Sequence, residues 1–194
     1  AMFSGIIAKQ YFGSDASKKQ IAQITECGLY HDAGKAYIPN AILNKPGKFD
    51  AEEYEIMKTH ALLGYKALTD AIAKGCPIDD IVARVALEHH ERFKGNGYPR
   101  GLVGKLEDDP ENGIHLYSRI VAIADCYSAI LMERVYKPAL PAEKALDLLE
   151  SNADKNFDPL IFYPFINAMR KSLNLLEKKE KDLYGDIFVL EKGE

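Results

Sequence analysis

An aspartate inside an apolar helix is the feature that most constrains this chain. Asp125 lies within residues 121–131, Val-Ala-Ile-Ala-Asp-Cys-Tyr-Ser-Ala-Ile-Leu. The helix predicted over 117–132 is apolar on almost every side, so it is expected inside the fold. An ionised carboxylate there is strongly unfavourable unless it is paired or bound to a metal. Asp125 therefore predicts a cluster of polar partners, with a buried salt bridge or a cap to another helix as alternatives to a metal.

Helical periodicity governs most of the remaining chain. Asp50 and Glu53 are spaced as a capping box, and apolar residues at spacings of three and four follow them as far as residue 72. A second helix is expected to begin at Pro77 and to end near His89. Further helices are predicted near 141–152 and 158–181.

These elements predict an all-α helical bundle. A length of 194 residues suits one domain with a full hydrophobic core. The glycine-rich residues 94–104 are expected to form a loop, and 106–113 its exposed acidic continuation. The domain is expected to occupy residues 3–183. Residues 184–194 would form a C-terminal tail, in which the alternation of 184–190 allows a short strand.

Composition excludes several functional classes. The net charge is −4, so no broad basic surface is expected to bind DNA. No apolar run reaches the ~18 residues that a membrane-spanning helix needs. Three cysteines stand far apart without C-x-x-C spacing, which argues against a disulfide framework and fits a cytoplasmic protein. Assembly into a homodimer is compatible with this composition.

Four histidines and two aspartates fall at helix ends or on predicted buried faces. Imidazole and carboxylate groups are ligands that suit iron, manganese, zinc or nickel. An adjacent His-Asp pair can place both ligand types at one edge, where the carboxylate can bridge two metals. The set predicts a metal-dependent phosphodiesterase site, although one such histidine alone is more often a core residue. The six residues are His31, Asp32, His60, His89, His90 and Asp125.

The fifth histidine, His115, follows the acidic loop. It is expected to be a surface residue and is left out of the site.

In this order and spacing, the motifs resemble the HD-GYP subgroup of the HD-domain metal-dependent phosphohydrolases. The loop Gly97-Tyr98-Pro99, directly after the double histidine, makes the resemblance specific. It extends over residues 31–158 and rests on His31-Asp32-x-Gly34-Lys35, Met57-Lys58-x-His60, His89-His90-Glu91-Arg92, Arg119-Ile120-x-Ala122-Ile123-Ala124-Asp125 and Phe157-Asp158-Pro159.

The resemblance implies hydrolysis of cyclic di-GMP to pGpG or GMP by hydroxide activated at two divalent metals. Iron or manganese is favoured, with zinc, nickel and magnesium as alternatives. The six residues would be the metal ligands, with Asp32 bridging. Asp32 and Lys35 would be catalytic, and the loop 97–99 could also dock a diguanylate cyclase domain. The substrate, a cyclic dinucleotide, would contact Lys35, Tyr98, Arg134 and Lys137.

The chain also departs from the family pattern. Lys94 and Ser128 stand where aspartates are common, and residues 134–136 read Arg-Val-Tyr where Arg-Pro-Tyr is usual. Members place a further Glu or His ligand well before the His-Asp pair. Residues 1–30 contain no histidine, and Asp15 and Glu26 are their only carboxylates. Two metals rather than three are therefore expected.

The departures keep two alternatives open. One is a catalytically weak or inactive cyclic di-GMP receptor or protein-docking module. The other is an HD-type phosphohydrolase of another nucleotide.

Overall fold

The computed structural model describes residues 1–15, 17–105, 112–132 and 140–184, with side chains described as far as Asn174. Two short 3-10 helices, Gly13–Asp15 and Ala33–Tyr37, join longer elements. The described residues contain no strand beyond isolated bridges at Lys94, Val103 and Gly113. The predicted all-α class is thus confirmed. The α-helices are α1 Met2–Phe12, α2 Lys18–Tyr30, α3 Asn40–Leu43, α4 Ala51–Lys58, α5 His60–Ala73, α6 Asp80–Glu88, α7 Leu116–Leu131, α8 Ala142–Glu150, α9 Ala153–Asn156 and α10 Pro159–Tyr184.

The single helix predicted after Asp50 is divided at Thr59. The capping box of Asp50 and Glu53 is present, as expected. The amide and hydroxyl of Thr59 both donate to the carbonyl of Ile56, at 3.0 and 2.6 Å. Because these bonds span three residues, the turn tightens and α4 ends. His60 consequently becomes the first residue of α5.

Helix α6 begins later than predicted. Asp79, rather than Pro77, marks its start, because the Asp79 carboxylate accepts a 3.0 Å hydrogen bond from the amide of Ile81. The predicted end near His89 is confirmed. A short strand was predicted over 184–190. Tyr184 ends α10 instead, and residues 185–190 lie outside the described part of the chain.

Helices α1 and α2 were not assigned from the sequence. Ser17 and Gln20 form a complete capping box at the start of α2. This Ser-x-x-Gln spacing is the signal that could have located α2.

The core consists of two clusters that both involve α7. The larger joins α1, α7, α8 and α10, with Ile7, Ile120 and Phe162 fully buried. The smaller joins α2, α5, α6 and α7 around Cys27 and Val85. Helices α2 and α6 pack against each other and against α7, and α5 packs against α6. The end of α2, the start of α5 and the end of α6 are thereby brought together.

Two glycines allow the turn after α2 to lie directly against α5. A Cβ atom added to Gly34 would stand 1.9 Å from the carbonyl oxygen of His60 and 2.4 Å from the amide nitrogen of Gly64. No side chain fits between these backbone atoms. The close approach is what brings Asp32 beside His60.

A buried ion pair joins α7 to α10. Arg119 donates from Nη1 to Asp158 Oδ2 at 2.6 Å, and both side chains are buried. The other Asp158 oxygen accepts from the amide of Leu160 at 2.9 Å, which caps α10. None of the described helices has the length and apolar character needed to span a bilayer.

Candidate metal centre

The fold brings together all six residues predicted to form the site. His31 and Asp32 follow α2, His60 begins α5, His89 and His90 follow α6, and Asp125 lies in α7. Their ligand atoms form two groups, and within each group all atoms lie within 4.8 Å of one another. Asp32 belongs to both groups. The first group is Asp32, His60, His89 and His90; the second is His31, Asp32 and Asp125.

Each oxygen of Asp32 faces a different group. Oδ1 lies 3.4 Å from His60 Nε2 and 3.8 Å from His89 Nε2. Oδ2 lies 3.3 Å from His31 Nε2, which is in turn 3.5 Å from Asp125 Oδ1. A carboxylate placed in this way can bridge two metal ions.

The histidine rings present the same nitrogen to the centre. His60 Nε2 lies 3.4 Å from His89 Nε2 and 3.1 Å from His90 Nε2. Three rings are held from behind by backbone carbonyls three residues earlier. The Nδ1 contacts are His31 to Gly28 at 3.0 Å, His60 to Met57 at 2.6 Å and His89 to Ala86 at 2.9 Å. With Nδ1 as the donor, Nε2 keeps a lone pair for a metal.

Two atoms at the centre lack a hydrogen bond of good geometry. His31 Nε2 and Asp32 Oδ1 are buried and have no such partner among the described residues. Buried polar atoms normally find a partner, and a cation between the groups would satisfy both. Imidazole nitrogens and carboxylate oxygens are also a donor set that divalent transition metals accept. The residues therefore fit metal ions.

The carboxylates of the centre favour a proton on His31. Burial alone would lower the pKa of His31, but Asp125 and Asp32 outweigh it and raise the pKa to about 9. Burial would raise the pKa of the Asp32 carboxyl, yet the positive charges of His31 and Lys35 hold it well below its usual range. The pKa of Asp125 is likewise lowered by His31, against the effect of burial. The two carboxylates therefore favour positive charge at the position where the donor set would hold a cation.

The other three histidines are held neutral. Burial is the main cause that lowers the pKa values of His60, His89 and His90. The positive charge of His31 lowers the pKa of His89 further. Neutral imidazoles are the form that binds metal, so this group is ready for an ion without losing protons.

The two groups are therefore expected to respond differently to pH. A metal must displace the His31 proton, so its affinity for the His31, Asp32 and Asp125 group should fall about tenfold for each pH unit below 9. The other group should keep its ion over the same interval. Metal analysis after dialysis at about pH 8 and pH 6 should show one ion lost, and titration calorimetry in two buffers should detect one proton released. Simultaneous loss of both ions would contradict this expectation.

Two predicted substrate residues lie beside the cluster. Lys35 Nζ donates to Asp32 Oδ2 at 2.6 Å. The Tyr98 ring stacks on His90 with centroids 4.7 Å apart and a 28° angle between the planes. Tyr98 therefore lies directly against one of the candidate ligands. Arg134 and Lys137 lie outside the described residues.

His115, predicted as a surface residue, is only partly exposed. Its ring is partly buried, and Nδ1 accepts a 3.1 Å hydrogen bond from the amide of Tyr117. His115 thus caps α7, and its own amide donates to the buried Glu88 at 2.9 Å. The sequence did not indicate this cap, because the acidic residues 106–113 before His115 predict an exposed loop.

Two buried glutamates beside the histidine pair were not identified from the sequence. Glu88 is fully buried, and its carboxylate accepts from Arg84 at 2.8 Å and from Ser118 at 2.9 Å. Glu91 accepts from the amides of Arg100 and Leu102, at 2.7 and 2.8 Å. Glu91 therefore fastens the loop that carries Tyr98. Their positions directly before and after His89-His90 could have indicated that they lie near the site.

The departure at Lys94 lies apart from the cluster. Its side chain is exposed and lines a separate pocket with Phe93, Phe157 and Tyr163. Its amide donates to the carbonyl of Lys155 at 3.3 Å. The change from aspartate therefore does not remove a ligand from either group.

The chain is similar to known phosphodiesterases. The profile of the family described as HD domain matches residues 7–161. The 3'3'-cGAMP-specific phosphodiesterase 3 of Vibrio cholerae is 38% identical over 176 residues, which cover 91% of this chain and 34% of that protein. A cyclic di-GMP phosphodiesterase of Thermotoga maritima is 37% identical over 179 residues, 92% of this chain and 45% of that protein. The response regulator RpfG of Xanthomonas campestris, a cyclic di-GMP phosphodiesterase, is 37% identical over 156 residues, 80% of this chain and 38% of that protein.

A solved structure shares the fold. It is the crystal structure of a cyclic GMP-AMP-specific phosphodiesterase of Vibrio cholerae, with a TM-score of 0.56 over 96% of this chain and 47% of that one. At 16% identity this likeness concerns the fold alone. The chain spans less than half the length of each of these relatives.

Proposed function

The chain belongs to the HD-domain family, and from this membership we propose that it hydrolyses a cyclic dinucleotide, with cyclic di-GMP as substrate and pGpG or GMP as product. The observation that carries the proposal is the sharing of Asp32 by two groups of ligand atoms. Such an arrangement suits two ions and a phosphodiester between them. Relatives named as cyclic di-GMP and 3'3'-cGAMP phosphodiesterases support the substrate class.

In this proposal all six residues of the centre are metal ligands, and iron or manganese is the preferred metal, with zinc, nickel and magnesium as alternatives. Bound divalent ions would supply activation of the attacking water and neutralisation of the phosphodiester charge. The chain's own contribution is positioning. The carbonyls behind His31, His60 and His89 fix the rings, and Asp32 sets the spacing of the two groups.

Two further side chains would act on the substrate directly. Lys35 holds its ammonium against Asp32, at the edge of the centre, where it can donate to a phosphate oxygen. Tyr98 stands against His90, so its ring can limit how a nucleotide enters. Both side chains already touch metal-ligand candidates.

A direct assay tests the proposal. The protein is loaded in turn with iron, manganese, zinc, nickel and magnesium and incubated with cyclic di-GMP or 3'3'-cGAMP. Chromatography is expected to show linear dinucleotide or mononucleotides from cyclic di-GMP with at least one metal. Faster turnover of 3'3'-cGAMP would correct the substrate, and a lack of product from both with every metal would refute the function.

A receptor that binds cyclic di-GMP without turnover is the second candidate. The observation in its favour is the 2.6 Å bond from Lys35 to Asp32, because this ammonium competes with a metal for one oxygen of the shared carboxylate. Tight binding of cyclic di-GMP by metal-loaded protein that forms no product would select this candidate.

A further inference from the structure

The positive side chains near the centre differ in what they already bind. Lys35 is paired with Asp32, and Lys58 with Glu55, each at 2.6 Å. Arg92 has no carboxylate at ion-pair distance within the described ranges 1–15, 17–105, 112–132 and 140–184. A half-buried guanidinium without a carboxylate partner keeps its donors available for an anion.

Arg92 lies close to the candidate ligands without being one of them. It follows His90 by two residues, and its Nη1 stands 3.7 Å from Sγ of Cys126, the residue after Asp125. A thiol is a weak acceptor, so the five guanidinium donors keep most of their capacity. The carbonyl of Arg92 accepts from the amide of Gly95 at 2.8 Å, which holds the backbone in place.

The guanidinium also acts electrostatically on Tyr98 and His90. Its positive charge opposes the rise in the pKa of Tyr98 that burial causes, and it adds to the lowering of the pKa of His90. Both rings are therefore within electrostatic reach of Arg92. Arg92 contacts Cys126, the residue after Asp125, and belongs to neither ligand group.

We propose that Arg92 binds the phosphodiester of the cyclic dinucleotide that is not cleaved. This inference rests on the proposed function. A cyclic dinucleotide has two phosphodiesters in one ring, and when one occupies the metal pair the other must lie to the side. An arginine with free donors beside the centre suits it, because the planar guanidinium matches two phosphate oxygens.

The test compares Arg92→Met and Arg92→Lys with the wild type on two substrates. Cyclic di-GMP has two phosphodiesters, whereas bis(p-nitrophenyl) phosphate has one. Arg92→Met is expected to raise KM for cyclic di-GMP about 10- to 100-fold, the loss of a charge-assisted bidentate contact. Its turnover of bis(p-nitrophenyl) phosphate, metal content and Tm should stay unchanged. For Arg92→Lys, KM for cyclic di-GMP should lie between the values of the wild type and of Arg92→Met.

Two control variants separate binding from structure. Arg170→Met removes an arginine that is paired with Asp147 and Glu150 away from the centre, and it should behave as the wild type. Cys126→Ala removes the thiol contact of Arg92 and should leave KM for cyclic di-GMP unchanged. If Cys126→Ala reproduces the effect of Arg92→Met, Arg92 acts through packing and the inference is overturned.

The remaining outcomes are also decisive. If Arg92→Met loses activity equally on both substrates, Arg92 acts on the cleaved phosphate or on the fold, and the inference is wrong. An unchanged KM for cyclic di-GMP, with the wild type active, would overturn the inference alone. A wild type that cleaves bis(p-nitrophenyl) phosphate but no cyclic dinucleotide would overturn the proposed function, and the inference with it.

Discussion

Replacing Asp32 with asparagine is expected to remove both metal ions and nearly all turnover. Asp32 is the one residue common to the two ligand groups, and its oxygens face different groups. An asparagine keeps the shape but loses the charge and one of the two ligand oxygens. Because bound metals contribute several kcal/mol to hydrolysis of a phosphodiester, kcat should fall by about three orders of magnitude or more. Metal analysis of the purified variant and the cyclic di-GMP assay measure the two effects.

Variants of residues that belong to a single group are the matched controls. His90→Ala changes only the group that contains His60 and His89, and Asp125→Asn only the group that contains His31. Each control should lose one ion, while Asp32→Asn loses two. If Asp32→Asn keeps two ions at wild-type affinity, Asp32 does not bridge, and the binuclear arrangement is wrong.

The clustering of the six residues could be predicted because it depends on features that are local in sequence. His31 and Asp32 are adjacent, His89 and His90 end a periodic helix, and Asp125 is conspicuous inside an apolar one. The burial expected of Asp125 within an apolar helix implied partners, and the histidines were the available ones. In the structure Asp125 is partly exposed and lies beside His31. The boundaries of the helices were harder to predict. The division at Thr59, for example, depends on one hydroxyl that donates to the carbonyl of Ile56.

The charged network behind the centre could not be predicted in the same way. Apart from Arg84, the partners of Glu88 and Glu91 named above lie 9 to 30 residues away in the chain. A glutamate beside a histidine pair reads equally well as an exposed residue, and only the fold determines which amides reach it. That Arg92 has no carboxylate partner among the described residues could not be predicted either. It depends on where the fold places the carboxylates.

Replacing Gly34 with alanine is expected to disrupt the fold at the point that assembles the centre. The added Cβ would meet His60 O at 1.9 Å and Gly64 N at 2.4 Å. Both are backbone atoms, so no side-chain rotation relieves the collision, and the turn after α2 must move away from α5. We expect the free energy of unfolding to fall by about 3 kcal/mol or more, which lowers Tm by about 6–12 °C in a chain of this size.

Gly64→Ala tests the same contact from the other side. Its Cβ would lie 3.1 Å from Gly34 N and 3.6 Å from the Cβ of Ala86, so small shifts suffice. Alanine also favours the helix over glycine by about 1 kcal/mol, which offsets part of the strain. Thermal unfolding of the metal-free proteins should therefore show a much larger loss for Gly34→Ala. Its metal content should also fall, because Asp32 moves with the turn. Equal stability of Gly34→Ala and the wild type would mean that the turn and α5 are not in this contact, and the shared position of Asp32 would lose its structural basis.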